Sequence, residues 1–204
     1  MRILLIGGSG TVGKAAALGL KKHDLILAGR NSGDITVDVM DEASIRAMFA
    51  KAGKLDAIVT TTGHTHFGPV ADMTTEQFRS GLNDKLMGQI MVALIGQHHL
   101  NDQGSITLTS GVTNRDVIRK GANAAAVNGA LDAFVKSAAI EMPRNIRINT
   151  VSPGLLEESA QKYDGFFPGH QPVSSARVGL AYAKSVEGAL IPKALLSDSH
   201  GIPF

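Results

Sequence analysis

The sequence predicts an α/β protein in which helices cover both faces of a doubly wound parallel sheet, giving three layers α/β/α. Apolar runs typical of strands buried on both faces, such as residues 2–7 (RILLIG), alternate with helical patterns along the chain. The first of these runs leads directly into a glycine-rich loop and then a helix. Strict alternation of strands and helices is the pattern of a parallel sheet with right-handed crossovers.

The individual elements follow from short apolar runs and from helix start and stop signals. Strands are predicted at residues 2–7, 24–29, 34–39, 55–63, 104–111 and 146–154. Helices are predicted at residues 11–22, 41–53, 74–100, 121–142 and about 175–189. Thr74 and Gln77 form a capping-box pattern at the start of the long helix. A seventh strand is predicted near residues 189–196, where Pro192 argues against a central position in the sheet. The whole chain, residues 1–204, is predicted to be one domain.

Composition excludes several classes of protein. With 44% hydrophobic and 19% charged residues, the chain is expected to fold rather than stay disordered. The absence of cysteine excludes disulfides and thiolate catalysis, and it fits a cytoplasmic setting. No apolar stretch of about 18 residues exists, so no membrane span is expected. A net charge of +2 with scattered basic residues argues against nucleic-acid binding, and no metal-ligand spacing is present, so no metal is expected.

The loop at residues 7–13 (GGSGTVG) carries the first functional signal. Three glycines spaced three apart allow a tight turn, a close approach to pyrophosphate, and close packing of helix on strand. The start of the following helix offers free N–H groups to phosphate. In this position the loop predicts a Rossmann-like dinucleotide site, the alternative being a purely structural turn. The residues assigned to the cofactor here are Gly7, Ser9, Gly10, Thr11, Val12 and Gly13.

The end of the second strand, residues 28–31 (AGRN), bears on which dinucleotide binds. An acidic residue here would accept a hydrogen bond from the free 2′-hydroxyl of NAD. The sequence instead offers Arg30 followed by Asn31, and a guanidinium matches a 2′-phosphate in charge and geometry. NADP is therefore predicted ahead of NAD, the alternative being that Arg30 is a solvated loop residue.

With this loop, the Asp-Val pair at 38–39, TTTG at 60–63 and NTVSPG at 149–154, the chain resembles the short-chain dehydrogenase/reductase family. The resemblance covers residues 1 to about 155 and continues more weakly to about 190. The glycine spacing is similar to that of the extended or atypical branches. The resemblance implies that Asp38 and Val39 meet the adenine, that Thr62 and Gly63 lie by its ribose, and that Pro153 and Gly154 line the nicotinamide.

The resemblance also shows where the catalytic groups of the family should stand. The family uses a tyrosine, a lysine four residues later, a serine, and an asparagine on the preceding long helix. An alignment of the last long helix and the following strand, which needs no gap, puts the tyrosine at Ala124 and the lysine at Asn128. The serine position falls at Gly111 and the asparagine position at Lys85. An alanine cannot transfer a proton, and asparagine cannot lower a neighbouring pKa by charge. All four positions are therefore altered in this chain.

Other residues are candidates to replace them. Lys85 and Ser110 are the preferred catalytic candidates, Lys85 for its helix position and Ser110 because it precedes Gly111. The alternatives are an exposed helix lysine and a serine that only satisfies backbone groups. His64, His66 and Tyr163 are further candidates for the acid, or else ordinary loop and lid residues. Tyr182, in AYAK at 181–184, is expected on a surface helix without a catalytic role.

Two hypotheses of function follow. In the first, the protein is an NADP-dependent oxidoreductase that acts on a small carbonyl or alcohol with non-standard catalytic groups. In the second, it binds NADP(H) without redox chemistry, as a sensor or an interaction protein. The small side chains of residues 122–133 allow close helix approach, and in the family this helix forms a dimer interface, so a homodimer or homotetramer is expected.

Overall fold

The computed structural model describes residues 1–189 and 195–197. Its strands are β1 (Arg2–Ile6), β2 (Asp24–Gly29), β3 (Ile35–Thr36), β4 (Leu55–Thr60), β5 (Leu100–Thr109), β6 (Arg147–Pro153) and β7 (Leu195–Ser197). Its α-helices are α1 (Thr11–Leu20), α2 (Glu42–Ala52), α3 (Thr75–Gly81), α4 (Gly88–Gly96), α5 (Ala122–Ala138) and α6 (Ser175–Glu187). Within the described ranges, no helix is both long and apolar enough to cross a membrane.

The seven strands form one parallel sheet in the order β3-β2-β1-β4-β5-β6-β7. The chain therefore adds β2 and β3 on one side of β1, crosses back, and adds β4 to β7 in order on the other side. This order confirms the predicted doubly wound, Rossmann-like fold. The winding reverses between β1 and β4, and ligands of such sheets bind outside the carboxyl ends of the strands at that point.

The two faces of the sheet carry separate cores, which explains the uninterrupted apolar run of β1. Leu4 and Ile6 pack on one face under α2, α4 and α5, whereas Ile3 and Leu5 pack on the other under α1 and α6. Successive side chains of a strand point to opposite faces, so a strand covered on both sides must be apolar at every position. All four side chains are fully buried.

Several predicted boundaries differ from the structure. The third strand is only β3, shorter than the predicted 34–39, and the fifth begins at Leu100 instead of residue 104. The helix predicted at 121–142 ends at Ala138, ahead of Pro143, which opens a separate 3-10 turn. The seventh strand is present at Leu195–Ser197, beside β6, while residues 190–194 of its predicted range lie outside the described residues.

The long helix predicted at 74–100 is in fact three consecutive segments. It starts with the predicted capping box, since Thr74 and Gln77 exchange hydrogen bonds in both directions. A single π-helical turn, Leu82–Met87, joins α3 to α4, and α4 ends at Gly96. Turns of this kind concentrate at functional sites, and this one carries Lys85.

Candidate active site

A cavity of about 800 Å³ opens at the carboxyl edge of the sheet, around the point where the winding reverses. Its wall draws on the glycine loop and on the chain that follows β2, β4, β5 and β6. A volume of this order suits a ligand the size of a cofactor with a small substrate. The predicted cofactor residues found in the wall are Gly7, Ser9, Gly10, Thr11, Val12, Arg30, Asn31, Val39, Thr62, Gly63, Pro153 and Gly154.

The glycine loop has the geometry of a phosphate cradle. Gly7 has φ +86° and donates from its N–H to the carbonyl of Ala28 at 2.8 Å. Gly13 lies behind the cavity wall, and a Cβ built there would stand 2.1 Å from the carbonyl oxygen of Gly7. Gly10 is the cap residue of α1, Thr11 is its first helical residue, and no side chain caps the helix. The free N–H groups and the positive dipole end of α1 therefore face the cavity, where an anion would be favoured.

Arg30 stands at the end of β2 on the wall of the same cavity. Its Nη2 lies 3.3 Å from Oδ1 of Asp38, and both side chains are about half exposed. The same carboxylate oxygen accepts the N–H of Met40 at 3.0 Å. Asp38 itself does not line the cavity, and its carboxylate contacts Arg30.

A buried glutamine, which the sequence did not single out, ties two strand ends together beneath the cavity. The side chain of Gln89 is fully buried on α4. Its Nε2 donates to the carbonyls of Thr62 at 3.2 Å and Thr109 at 2.9 Å, and its Oε1 accepts the N–H of Thr109 at 2.8 Å. A lone polar residue within the apolar letters GQIMVALIG was the only sequence signal for this role.

Lys85 lies inside the site, which makes the alternative of an exposed helix lysine wrong. From the π-helical turn its Nζ donates to the carbonyl of Ser110 at 2.9 Å and to Oδ1 of Asn128 at 2.7 Å. Burial lowers the pKa of Lys85 from its ordinary value of 10.5 to about 8, and the charge of Asp132 partly opposes this. Gly63, at φ +112°, permits the approach, because a Cβ there would lie 2.5 Å from Cα of Lys85.

Asn128 completes the contact on the opposite helix, although it was predicted only as a missing lysine. It is buried on α5 and its Nδ2 donates to Oγ1 of Thr113 at 2.8 Å. A Cβ at Gly111 would stand 2.9 Å from that Nδ2, so a side chain at the position aligned with the family's serine would displace the amide of Asn128. Asn128, Thr113 and Lys85 all line the cavity.

Ser110 holds a buried hydroxyl in the wall of the same cavity. Its side chain is 2% exposed, it lines the cavity, and its Oγ has no hydrogen-bond partner among the described residues. A buried hydroxyl without a partner is costly unless something binds to it. The neighbouring Thr109 is already engaged, because its Oγ1 donates to the carbonyl of Thr60 at 2.7 Å.

Tyr182 was predicted on a surface helix, and this prediction is wrong. Its side chain is fully buried in the core under α1 and α6. Its hydroxyl lies 2.7 Å from Oγ1 of Thr109, and burial raises its pKa far above the ordinary range of a phenol. Polar residues surround Tyr182 in the sequence, but α6 has one apolar stripe. Val178, Tyr182 and Val186 form it at helical spacing.

A group of aromatic rings walls the outer end of the cavity. Phe67, Tyr163 and Phe167 line it, with the Tyr163 ring 5.8 Å from Phe67 and 6.1 Å from Phe167. His64 also lines it, but its side chain is 90% exposed, with Nδ1 3.1 Å from a carboxylate oxygen of Asp84. His66 lies outside this cavity and borders a smaller neighbouring depression.

Comparison with known proteins places this chain among related sequences and structures. The family model described as enoyl-(acyl carrier protein) reductase matches residues 18–184. The crystal structure of the protein lin1944 of Listeria innocua is 51% identical, covers 96% of this chain and 97% of its own, and superposes with a TM-score of 0.91. A small-chain dehydrogenase solved in complex with NADPH is 26% identical, covers 96% of this chain and 94% of its own, and has a TM-score of 0.81.

Curated relatives are more distant and match only part of their length. An uncharacterized oxidoreductase of Methylorubrum extorquens is 30% identical over 124 residues, which are 60% of this chain and 50% of that protein. A trihydroxynaphthalene reductase of Colletotrichum orbiculare is 30% identical over 133 residues, 62% of this chain and 47% of that protein. The chain thus spans about half the length of the curated relatives it matches.

Proposed function

Because this chain belongs to the short-chain dehydrogenase/reductase family, we propose that it is an NADP(H)-dependent oxidoreductase acting on a small carbonyl or alcohol. One observation carries the proposal above all others. The ammonium of Lys85 is buried in the wall of the cavity that also contains the glycine loop. A proton-donating group and a dinucleotide cradle in one cavity are what a carbonyl reductase requires.

The cofactor assignment is supported by the shape and charge of the loop. The backbone of residues 7–13 leaves no room for a Cβ at Gly13, and the N-terminus of α1 is uncapped. Arg30 adds a guanidinium where a 2′-phosphate would lie, and it lines the cavity. A related small-chain dehydrogenase has been solved with NADPH, which agrees with this assignment. NADPH, when bound, supplies the hydride, and the protein must hold it and manage the proton.

The proton is assigned to Lys85. Reduction of a carbonyl leaves a negative oxygen, and a donor is most effective when its pKa lies near the working pH. Burial brings the pKa of Lys85 to about 8, so its ammonium is present at neutral pH yet releases its proton readily. The unpartnered Oγ of Ser110 is assigned to hydrogen-bond the substrate oxygen.

The test begins with binding and continues with turnover. Titration with NADPH and NADH, followed by nicotinamide fluorescence, is expected to give micromolar NADPH binding and much weaker NADH binding. NADPH oxidation is then measured over a panel of small aldehydes and ketones with the wild type and Lys85→Met. Lys51→Met is the matched control, because Lys51 is exposed on α2. Turnover that survives Lys85→Met would remove this lysine from the mechanism, and no binding of either nucleotide would refute the whole proposal.

A second candidate function rests on Ala124. This residue lines the cavity at the position aligned with the family's tyrosine, and its methyl group carries no proton. The protein would then bind NADP(H) as a sensor or interaction protein. Tight NADPH binding without turnover across the carbonyl panel would favour this function over the first.

We also propose that the chain forms a homodimer or homotetramer through α5. Ala126 and Ala133 are exposed on this helix, and a Cβ built at Gly129 would meet nothing within 4 Å. Such a face allows a second copy of the helix to approach closely. Light scattering at micromolar concentration measures the mass, and the mass of one chain would contradict the proposal.

A further inference from the structure

We propose that Asn128 is the positioning residue of Lys85: its side chain holds the ammonium so that one N–H points into the cavity. Because the family resemblance implies asparagine at position 85 and lysine at position 128, the two residues are called the exchanged pair. The inference rests on the proposed function, because it takes Lys85 as the group that meets the substrate oxygen. Asn128 is buried on α5 while Lys85 comes from the π-helical turn on the other side of the cavity. Their side chains meet at 2.7 Å, from Nζ to Oδ1.

The amide of Asn128 is fixed at both ends. Its Nδ2 donates to Oγ1 of Thr113 at 2.8 Å, so its Oδ1 is the end that faces the ammonium. The amide holds one orientation, because a flip would turn the donor Nδ2 toward the ammonium, which has no acceptor. Thr113 is itself 4% exposed and lies in the short 3-10 turn that follows β5.

This arrangement determines the direction of the remaining N–H group of Lys85. An ammonium has three donors. Two of them are taken by the carbonyl of Ser110 and by Oδ1 of Asn128, and the described residues offer no third acceptor. Lys85 and Ser110 both line the cavity, so the third N–H of Lys85 is assigned to a ligand there, and the buried Oγ of Ser110 lies in the same wall without a hydrogen-bond partner. Without Asn128 the ammonium would lose one of its two anchors.

The residues around Lys85 and Asn128 differ from the family pattern in ways that depend on one another. This distinguishes an exchange of catalytic groups between two positions from their simple loss. The family resemblance implies an asparagine at position 85 and a lysine at position 128, whereas this chain carries Lys85 and Asn128. A side chain at Gly111 would collide with Asn128 at 2.9 Å, and the neighbouring Ser110 carries the free hydroxyl instead. On the positions that the resemblance implies, the lysine and the amide are exchanged, and in the structure the ammonium of Lys85 lies against Asn128 of α5.

The charges around Lys85 make Asn128 a sensitive position. Asp132 on α5 favours the ammonium, whereas burial disfavours it. Asp84, on the same helical turn, lies 3.1 Å from His64, which follows β4. Lys162 and Tyr163, in the segment after β6, line the cavity. Asn128 is the neutral group in direct contact, so a charge placed there would act on the ammonium at the shortest range.

Two nearly isosteric substitutions test the inference without any substrate. Asn128→Asp adds a carboxylate and is expected to raise the pKa of Lys85 by about one unit or more. Asn128→Leu removes the acceptor and is expected to lower it by a similar amount. The titration is followed by NMR of lysines labelled at Cε, with the Lys85 signal identified by its loss in Lys85→Met. Asn83→Asp is the matched control, since it adds the same charge at an exposed position of the same turn.

Opposite shifts in the two Asn128 variants, with little change in Asn83→Asp, are the expected result. If the two side chains do not meet in the folded protein, the Lys85 titration stays where it is in both variants, and that outcome overturns the inference. Because the titration needs no turnover, it separates this inference from the proposed function. If the Lys85 titration shifts but the protein reduces no carbonyl, the contact between Lys85 and Asn128 stands and the proposed oxidoreductase activity fails. If the protein turns over but the titration does not shift, the activity stands and the contact fails.

The reciprocal double variant Lys85→Asn with Asn128→Lys gives a second test. The contact between ammonium and amide is re-formed with its ends exchanged, so NADPH-dependent turnover is expected to exceed that of either single variant by about tenfold or more. Thermal melting and NADPH binding establish that each variant is folded. Double-variant turnover no greater than that of the singles, in folded proteins that bind NADPH, would overturn the exchange.

Discussion

The burial of Lys85 should make the stability of the protein depend on pH, and Lys85→Met isolates this dependence. The pKa of Lys85 falls from 10.5 to about 8 in the folded protein because burial disfavours the ammonium. At about 1.4 kcal/mol for each pH unit, this drop corresponds to about 3 kcal/mol. Between pH 8 and 10.5 the unfolded chain binds more protons at this site than the native protein does. Wild-type stability therefore rises with pH across that window.

The measurement is the free energy of unfolding by urea, taken at pH 7, 8, 9 and 10 for the wild type and Lys85→Met. The variant also loses hydrogen bonds to Ser110 and Asn128, which lowers its stability at every pH. Only the change with pH reports the buried charge. The free energy of unfolding of the wild type is expected to rise relative to that of the variant by about 3 kcal/mol in total as pH rises, with most of the rise above pH 8.

A matched substitution, Lys51→Met, removes a lysine from the exposed side of α2 and controls for general effects of alkaline pH. Its stability should follow that of the wild type in parallel. If the stability of Lys85→Met also changed with pH in parallel with that of the wild type from pH 7 to 10, burying the ammonium would not carry the free-energy cost inferred from its pKa. The assignment of Lys85 as a proton donor near neutral pH would then fail with it.

Three further substitutions test other parts of the site. Arg30→Ala is expected to weaken NADPH binding by about tenfold and leave NADH binding unchanged, as measured by fluorescence titration, because it removes a charge-assisted contact to the 2′-phosphate. Gly13→Ala is expected to lower the melting temperature and abolish NADPH binding, because its Cβ would stand 2.1 Å from the carbonyl oxygen of Gly7. Tyr182→Phe is expected to reduce the free energy of unfolding by about 1 kcal/mol through the lost contact with Thr109. Unchanged melting in the last two variants would contradict the packing described.

The parts of the site that the sequence predicted are those encoded by neighbouring residues. The glycine loop, Arg30 and the strand-end residues Gly63 and Pro153 needed only a strand, a turn and their order in the chain. Local patterns fix such features, because parallel strands bring their carboxyl ends to one edge of the sheet. The cavity wall contains all four of these features.

Contacts between distant residues could not be predicted in this way. Gln89 reads as a stray polar residue in an apolar helix, and Tyr182 reads as part of a surface helix. Only packing reveals that Gln89 holds Thr62 and Thr109, and that the hydroxyl of Tyr182 meets Thr109 in the core. The helix boundaries also moved, because tertiary contacts decide where a helix ends when propensity alone does not.

The sequence by itself determined the doubly wound sheet and the dinucleotide loop, because each is written in local periodicity or in the spacing of a few residues. Through the family resemblance it also predicted that Ala124, Asn128, Gly111 and Lys85 stand where the family's catalytic residues are expected. Only the tertiary structure decided what stands in their place. The ammonium of Lys85 reaches Asn128 across 43 residues of chain, and its pKa depends on how completely the surrounding helices exclude water. Burial and distance between remote side chains are properties of the packed molecule, and no short stretch of sequence contains them.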